Sequence, residues 1–214
     1  MNQDLKLLIY SYFELEEVLT IFKNNINIRD ALIKKYHKIL PHINIASEYG
    51  KLETVKYLIS LGIKPDKCTL DNATYNGNLE LIVYLISLGV KPNKGTLYQA
   101  SRYGNWKSSK YLIDLGIKPD KETLDLGSRN GNLELVMYLI NYGIKPNAFT
   151  LNYASESGNL ELVKYLIGLG IEPYYNILNY ASQSGNLELV KYLISLGSAE
   201  ANYYASHMSC VKKG

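Results

Sequence analysis

The chain has 214 residues, 47% of them apolar and 20% charged, with a formal net charge of +3. That is the make-up of a soluble folded protein, too mildly basic to argue for nucleic acid or a membrane surface from charge alone. Two cysteines, Cys68 and Cys210, cannot build a disulfide framework, no apolar run approaches the roughly 18–20 residues of a membrane span, and Met1-Asn2-Gln3-Asp4 lacks the basic start of a secretory signal, so a reducing intracellular setting is expected.

Residues 1–41 carry Leu15, Val18, Ile21-Phe22 and Ile26 around Glu16-Glu17, the pattern of the second helices met further along the chain. Residues 28–40 add one more helical stretch, stopped by Pro41. One expectation is a degenerate helical cap. The other comes from a resemblance. Asp4-Leu5, Leu8 to Phe13, Leu15, Val18-Leu19, Arg29-Asp30 and Leu32-Ile33 resemble an F-box, with Met1-Asn2 in place of its Leu-Pro opening. That resemblance implies docking onto a Skp1-type adaptor of a cullin ubiquitin ligase.

From residue 42 the chain repeats itself. Gly50, Gly77, Gly104, Gly131, Gly158 and Gly185 are 27 residues apart, and so are Gly62 through Gly197, Pro65 through Pro173, and Tyr57 through Tyr192. Six units follow: 42–68, 69–95, 96–122, 123–149, 150–176 and 177–203. In one of them, Leu70 and Ala73 mark a face of a short helix, Thr69 is a candidate N-cap, and Gly77 a left-handed stop. Asn78 then caps a second helix with Glu80 in its first turn and an apolar stripe of Leu79, Ile82, Leu85 and Ile86. Gly89 ends that helix and Pro92 forbids its continuation. The tyrosine series is expected to pack between neighbouring second helices with its hydroxyls in water. A single unit cannot bury its own apolar faces, so the units must stack.

The string Gly-Asn-Leu-Glu-Leu-Val-Lys-Tyr-Leu-Ile-x-Leu-Gly at 158–170 and 185–197 resembles the second half of an ankyrin repeat. The preceding Tyr-Ala-Ser-x-Ser-Gly resembles the end of that family's first helix. The resemblance covers roughly residues 42–203. It departs in period, 27 instead of the family's usual 33, with the missing residues falling where the family builds a projecting β-hairpin finger. It also departs in the Thr-Pro-Leu-His opening, reduced to Thr96-Leu97 or Thr123-Leu124. Short arrays of this kind resemble those of large DNA viruses of amoebae. The expected fold is all-α: an ankyrin-like solenoid of helix-turn-helix units with helical caps and little or no β-structure.

Residues 204–214 read as a degenerate capping helix and a basic tail, since Asn202-Tyr203-Tyr204-Ala205-Ser206 echoes Leu178-Asn179-Tyr180-Ala181-Ser182. Nothing in the chain reads as catalytic. His37, His42 and His207 stand without Cys or acid at metal-ligand spacing, and Cys68 takes what reads as a loop position. Each glycine is read as a helix terminator, so none cradles a phosphate, and Glu53, Glu80, Glu134, Glu161 and Glu188 read as solvated helix starts. The expectation is a monomeric, cytoplasmic protein, a host cell included, with no enzyme activity, cofactor, metal or membrane span, and with nucleic acid disfavoured.

The expected function is protein binding, on the concave face formed by the first helices. The positions that vary from unit to unit supply the candidates. One row is Asn72, Gln99, Leu126, Tyr153 and Tyr180. A second is Tyr75, Arg102, Arg129, Glu156 and Gln183, and a third is Asn76, Tyr103, Asn130, Ser157 and Ser184. Tyrosine and arginine are frequent interface anchors. The third unit departs most, with Trp106, Lys107 and Ser108-Ser109 in place of Leu, Glu and an apolar pair. Arg102, Tyr103, Trp106, Lys107 and Lys110 are there expected to form a basic-aromatic cluster around one turn, or else Trp106 fills space lost at Ser109.

Overall fold

The computed structural model describes residues 41–60 and 62–197, so the cap and F-box-like readings of 1–41 and the capping-helix reading of 204–214 fall outside the described residues. Twelve helices and no strand are found among the described residues. They form six consecutive pairs: α1 Pro41–Glu48 and α2 Leu52–Ser60, α3 Lys67–Asn76 and α4 Leu79–Ser87, α5 Lys94–Arg102 and α6 Trp106–Asp114, α7 Lys121–Arg129 and α8 Leu133–Asn141, α9 Ala148–Ser157 and α10 Leu160–Gly168, α11 Ile177–Ser184 and α12 Leu187–Ser195. The odd-numbered helices are the first helices of the six repeats.

Each odd-numbered helix of repeats two to five starts on a reciprocal cap. Asp66 Oδ1 accepts from the Thr69 N–H (2.9 Å) while the Asp66 N–H donates to Thr69 Oγ1 (3.2 Å). Asn93 with Thr96, Asp120 with Thr123 and Asn147 with Thr150 do the same. This corrects the sequence reading: Thr69 is the third helical residue and Asp66 is the cap. The helix thus begins three residues earlier, which puts Cys68 inside α3, exposed, and not in a loop. In the sixth repeat Tyr174 and Ile177 replace the capping pair, and α11 begins only at Ile177.

Gly77 adopts φ +84 and closes α3, where a side chain would be strained, and Val90 N–H reaches back to the Leu85 carbonyl (3.2 Å) across Gly89 to close α4. Three glycines are not terminators: Gly95, Gly127 and Gly168 lie within α5, α7 and α10. Gly127 stands where the other repeats have alanine, and a methyl there would meet Leu135 Cδ2 at 3.1 Å.

Leu70, Ala73, Leu81, Ile82 and Leu85 are fully buried, as are Leu135, Val136 and Leu139 or Leu162, Val163 and Leu166 two and three repeats on. The apolar stripe of the even-numbered helices is therefore centred on Leu81, which the sequence reading passed over. Leu79 and Ile86 are half-buried at its margins. The interior forms two clusters, one from Ile43 to Leu85 and one from Leu97 to Leu193, which meet between the second and third repeats.

A row of asparagines ties the repeats together. Asn78 accepts from the Leu81 N–H (3.1 Å) and donates from Nδ2 to the Gly50 carbonyl of the preceding repeat (2.9 Å). Asn132, Asn159 and Asn186 cap in the same way and donate to Gly104, Gly131 and Gly158. Asn105 alone among them makes no cap bond. Its Nδ2 reaches the Thr74 carbonyl instead (2.8 Å). A second set of ties joins the threonines to the preceding odd-numbered helix, Thr69 to Asn44 (2.7 Å), Thr96 to Asp71 (3.2 Å) and Thr150 to Asp125 (3.0 Å). Ile177 has no hydroxyl to offer, and the buried Asn152 Oδ1 that would accept from it has no partner.

The tyrosines of the even-numbered helices are half-buried between neighbours, as expected. Lysines of the preceding repeat lie over three of the rings, Lys56 over Tyr84 (5.8 Å), Lys110 over Tyr138 (5.4 Å) and Lys164 over Tyr192 (5.8 Å). The hydroxyls do not all end in water: that of Tyr138 donates to Asp114 Oδ1 (2.9 Å).

Candidate interaction surface on the first helices

From α3 to α11, successive odd-numbered helices lie against each other along their length, whereas successive even-numbered helices meet at few points. The odd-numbered side is thus the more tightly packed, inner side of the array. The glutamates at 53, 80, 134, 161 and 188 are exposed at the starts of the even-numbered helices, away from it.

The three variable rows occupy different depths on this inner side. Asn72, Gln99, Leu126, Tyr153 and Tyr180 are all half-buried. Tyr75, Arg102, Arg129 and Gln183 are exposed, with Glu156 half-buried. The third row has a scaffold role besides. A Cβ on Gly50 would meet Asn76 at 2.1 Å and one on Gly104 would meet Asn130 at 2.1 Å, so these side chains lie directly on the preceding repeat's left-handed glycine. Asn130 also donates to the Arg102 carbonyl (3.0 Å), and Ser157 and Ser184 cover Gly131 and Gly158. Tyr103 is the exception. At its step Asn105 covers the glycine, and the Tyr103 ring packs edge-on against Tyr75 with centroids 4.4 Å apart.

The basic-aromatic group of the third repeat is split by the fold. Trp106 is half-buried and packs against Tyr138 of α8 (6.3 Å), on the even-numbered side, where Lys110 is engaged by Asp114 (2.6 Å). Lys107 is exposed on the same helix. Arg102 and Tyr103 belong to the inner side. Beneath Trp106, Ser108 and Ser109 are buried. The Ser108 hydroxyl has no partner, and Ser109 faces Ser101 (3.3 Å), whose counterparts Ser47, Thr74, Ser128 and Ser155 each bond the carbonyl four residues earlier.

Charge on the inner side is partly spoken for. The Arg129 guanidinium lies 4.3 Å from the centre of the Tyr153 ring, with its Nε 3.4 Å from Glu156. Arg102 pairs with no acid and covers no ring among the described residues. Along the edge of helix starts, Asp120 is the most perturbed group. Burial pushes its carboxyl up, but hydrogen bonds from Lys94, Tyr98 and Thr123 outweigh that and hold it well below the ordinary carboxylate range. The hydrogen bond to Asp120 in turn raises Lys94, and burial followed by the same carboxylate raises the Tyr98 phenol. Asp114 is lowered by its bond from Lys110 and then from Tyr138. These are inter-repeat ties whose protonation states are fixed, not poised for proton transfer near neutrality. Among the described residues no His, Cys, Asp and Glu side chains gather into a metal-binding group, and no helix is long and apolar enough to cross a membrane.

The asparagine ties were not anticipated. Their recurrence every 27 residues from Asn78 to Asn186 was visible, but a helix cap accounts for the residue type without revealing the tie to the preceding repeat.

A family model described as "Ankyrin repeats (3 copies)" matches residues 124–206, and one described as "Ankyrin repeats (many copies)" matches residues 43–86. Together they take in more than half of the chain, and the stretch between them contains the divergent third repeat. A solved structure of the human ASB11 ankyrin repeat domain is similar in fold, with a TM-score of 0.58 and 20% identity over 73% of this chain and 83% of that one. No curated protein matches the sequence.

Proposed function

The chain belongs to the ankyrin-repeat proteins, and we propose that it is a non-enzymatic scaffold that binds a protein partner on the inner face of its odd-numbered helices. Ankyrin repeats are general protein-interaction modules, and that much applies to this chain through its family. The particular face is argued from one observation. At the contact of α3 with α5 an exposed pair, Tyr75 (47% exposed) and Tyr103 (42%), stands beside Arg102, which has no partner among the described residues. Exposed aromatic surface next to a guanidinium with no protein partner is what interface anchors are made of. From α3 on, the positions beneath it are leucine and, but for Gly127, alanine, so most of the variation between repeats lies on the face itself. With no β-hairpin fingers among the described residues, the helix faces carry the recognition. In this reading the protein acts as a cytoplasmic monomer.

The test compares the full chain with a variant carrying Tyr75→Ala, Arg102→Ala and Tyr153→Ala, each immobilised and exposed to lysate. Partners retained by the first and released by the second support the inner face. Partners that a Lys107→Glu, Lys164→Glu variant of the even-numbered side releases instead would overturn it.

A further inference from the structure

A small cleft on the inner face is lined by Glu48 at the end of α1, Asp71, Asn72 and Tyr75 of α3, and Gln99 of α5. Its volume is about 180 Å³. Pockets for small organic ligands begin at roughly 300 Å³, so this one suits a single side chain.

Its lining leaves specific groups unsatisfied. The charge of Asp71 is already paired, with Lys67 Nζ at 2.5 Å and the Thr96 hydroxyl at 3.2 Å. Glu48 is exposed and makes no ion pair among the described residues. Asn72 and Gln99 are half-buried, yet neither side-chain amide makes a hydrogen bond among them. Tyr75 adds an open ring, held in place by Tyr103. The surplus is one negative charge, two amides and one aromatic face.

That set matches a guanidinium better than an ammonium. The guanidinium is planar, stacks on an aromatic ring, and presents five N–H donors in a fork that fits a carboxylate and amide oxygens together. The chain already contains such a grouping. Glu156, four repeats beyond Glu48 at the same repeat position, is met by Arg129, which also covers the Tyr153 ring. Glu48 has the acid and a nearby ring but, among the described residues, no arginine.

We propose that the Glu48–Asn72–Tyr75–Gln99 cleft is a socket for one arginine side chain of the bound protein. This rests on the inner face being the partner surface.

The experiment titrates the isotope-labelled full chain with acetyl-arginine-methylamide and follows the Asn72 and Gln99 side-chain amides by NMR, with acetyl-citrulline-methylamide as the uncharged isostere. Saturable shifts at both amides are expected, with a dissociation constant on the order of 1–10 mM for so small a probe. The citrulline probe, and the arginine probe on Glu48→Gln, should each bind about tenfold more weakly, the loss of one charge-assisted pair. No saturable shift, equal binding of citrulline, or equal binding to Glu48→Gln would overturn the socket. A protein partner that binds the inner face and is insensitive to Glu48→Gln removes the socket while leaving the scaffold reading in place.

Discussion

Replacing Asn132 by alanine removes two bonds with one side chain. The first is the cap of α8, Oδ1 accepting from the Leu135 N–H at 3.0 Å; the second is the tie to the third repeat, Nδ2 donating to the Gly104 carbonyl at 2.9 Å. Loss of an asparagine cap costs about 1 kcal/mol. Loss of a neutral hydrogen bond costs about another 1 kcal/mol, and more where the acceptor is left bare. The Gly104 carbonyl keeps the Trp106 N–H at 2.9 Å, so the total stays near 2 kcal/mol. Asn105→Ala supplies the control. Its side chain makes no cap bond, only the tie to the Thr74 carbonyl with a longer branch to the Tyr75 carbonyl (3.4 Å), so about 1 kcal/mol is expected. Asn132→Asp separates the two contributions within one site. The acceptor survives, the donor does not, and a carboxylate is set against a carbonyl, for a loss of roughly 1–2 kcal/mol, reduced by a few tenths through the helix dipole. Urea unfolding followed by far-UV circular dichroism measures all three, and at an m-value of about 2 kcal/mol per molar a 2 kcal/mol loss moves the midpoint by about 1 M. An Asn105→Ala variant as damaged as Asn132→Ala, or a neutral Asn132→Asp, would refute this account of the ties.

Gly104→Ala and Gly89→Ala both place a methyl on a positive-φ residue (+73 and +92), but only the first meets a neighbour, Asn130 Oδ1 at 2.1 Å. Thermal melts should show about 1 kcal/mol for Gly89→Ala and at least twice that for Gly104→Ala, where Asn130 must also give up the Arg102 carbonyl. Asp120, held below the ordinary carboxylate range, contributes stability that is present above about pH 4 and lost as pH falls. The native chain should therefore lose midpoint on acidification from pH 5 more steeply than Asp120→Asn, and parallel curves would contradict the assignment. If residues 1–41 act as an F-box-like adaptor segment, a Skp1-type adaptor co-purifies with the full chain and not with one lacking those residues. Co-purification with neither leaves the segment as a cap.

The repeat architecture was legible because glycine, proline and asparagine act locally. Gly77, Gly89, Pro92 and Asn78 mark ends whose chemistry needs no knowledge of what lies across the space. The start of the odd-numbered helices was misread for the same reason. Asp66 and Thr69 are both good caps three residues apart, and only the reciprocal geometry shows that each caps the other's backbone. Which face a residue joins was less accessible. Trp106, Lys110 and Arg102 are neighbours in the chain, yet the reversal at Gly104 sends Arg102 to the inner side and the others to the outer. The variable rows were found by alignment of the repeats with one another, but that cannot tell Asn130, clamped on Gly104, from Tyr75, which is exposed.

The boundary between the two buried clusters at the second and third repeats has a dynamic consequence. In a linear array each unit is stabilised only through its two neighbours, so cooperativity is limited by the weakest coupling. One weakened coupling lies where the two apolar clusters adjoin, where Asn105 gives up its cap, and where Ser108 is buried without a partner. Amide exchange would reach α1 to α4 by opening this seam, without unfolding the four repeats beyond it. The Tyr75–Tyr103 contact spans the seam from α3 to α5, as does the cleft that ends on Gln99. A partner seated there acts as a clasp, and its binding energy is returned as slower opening of the first two repeats.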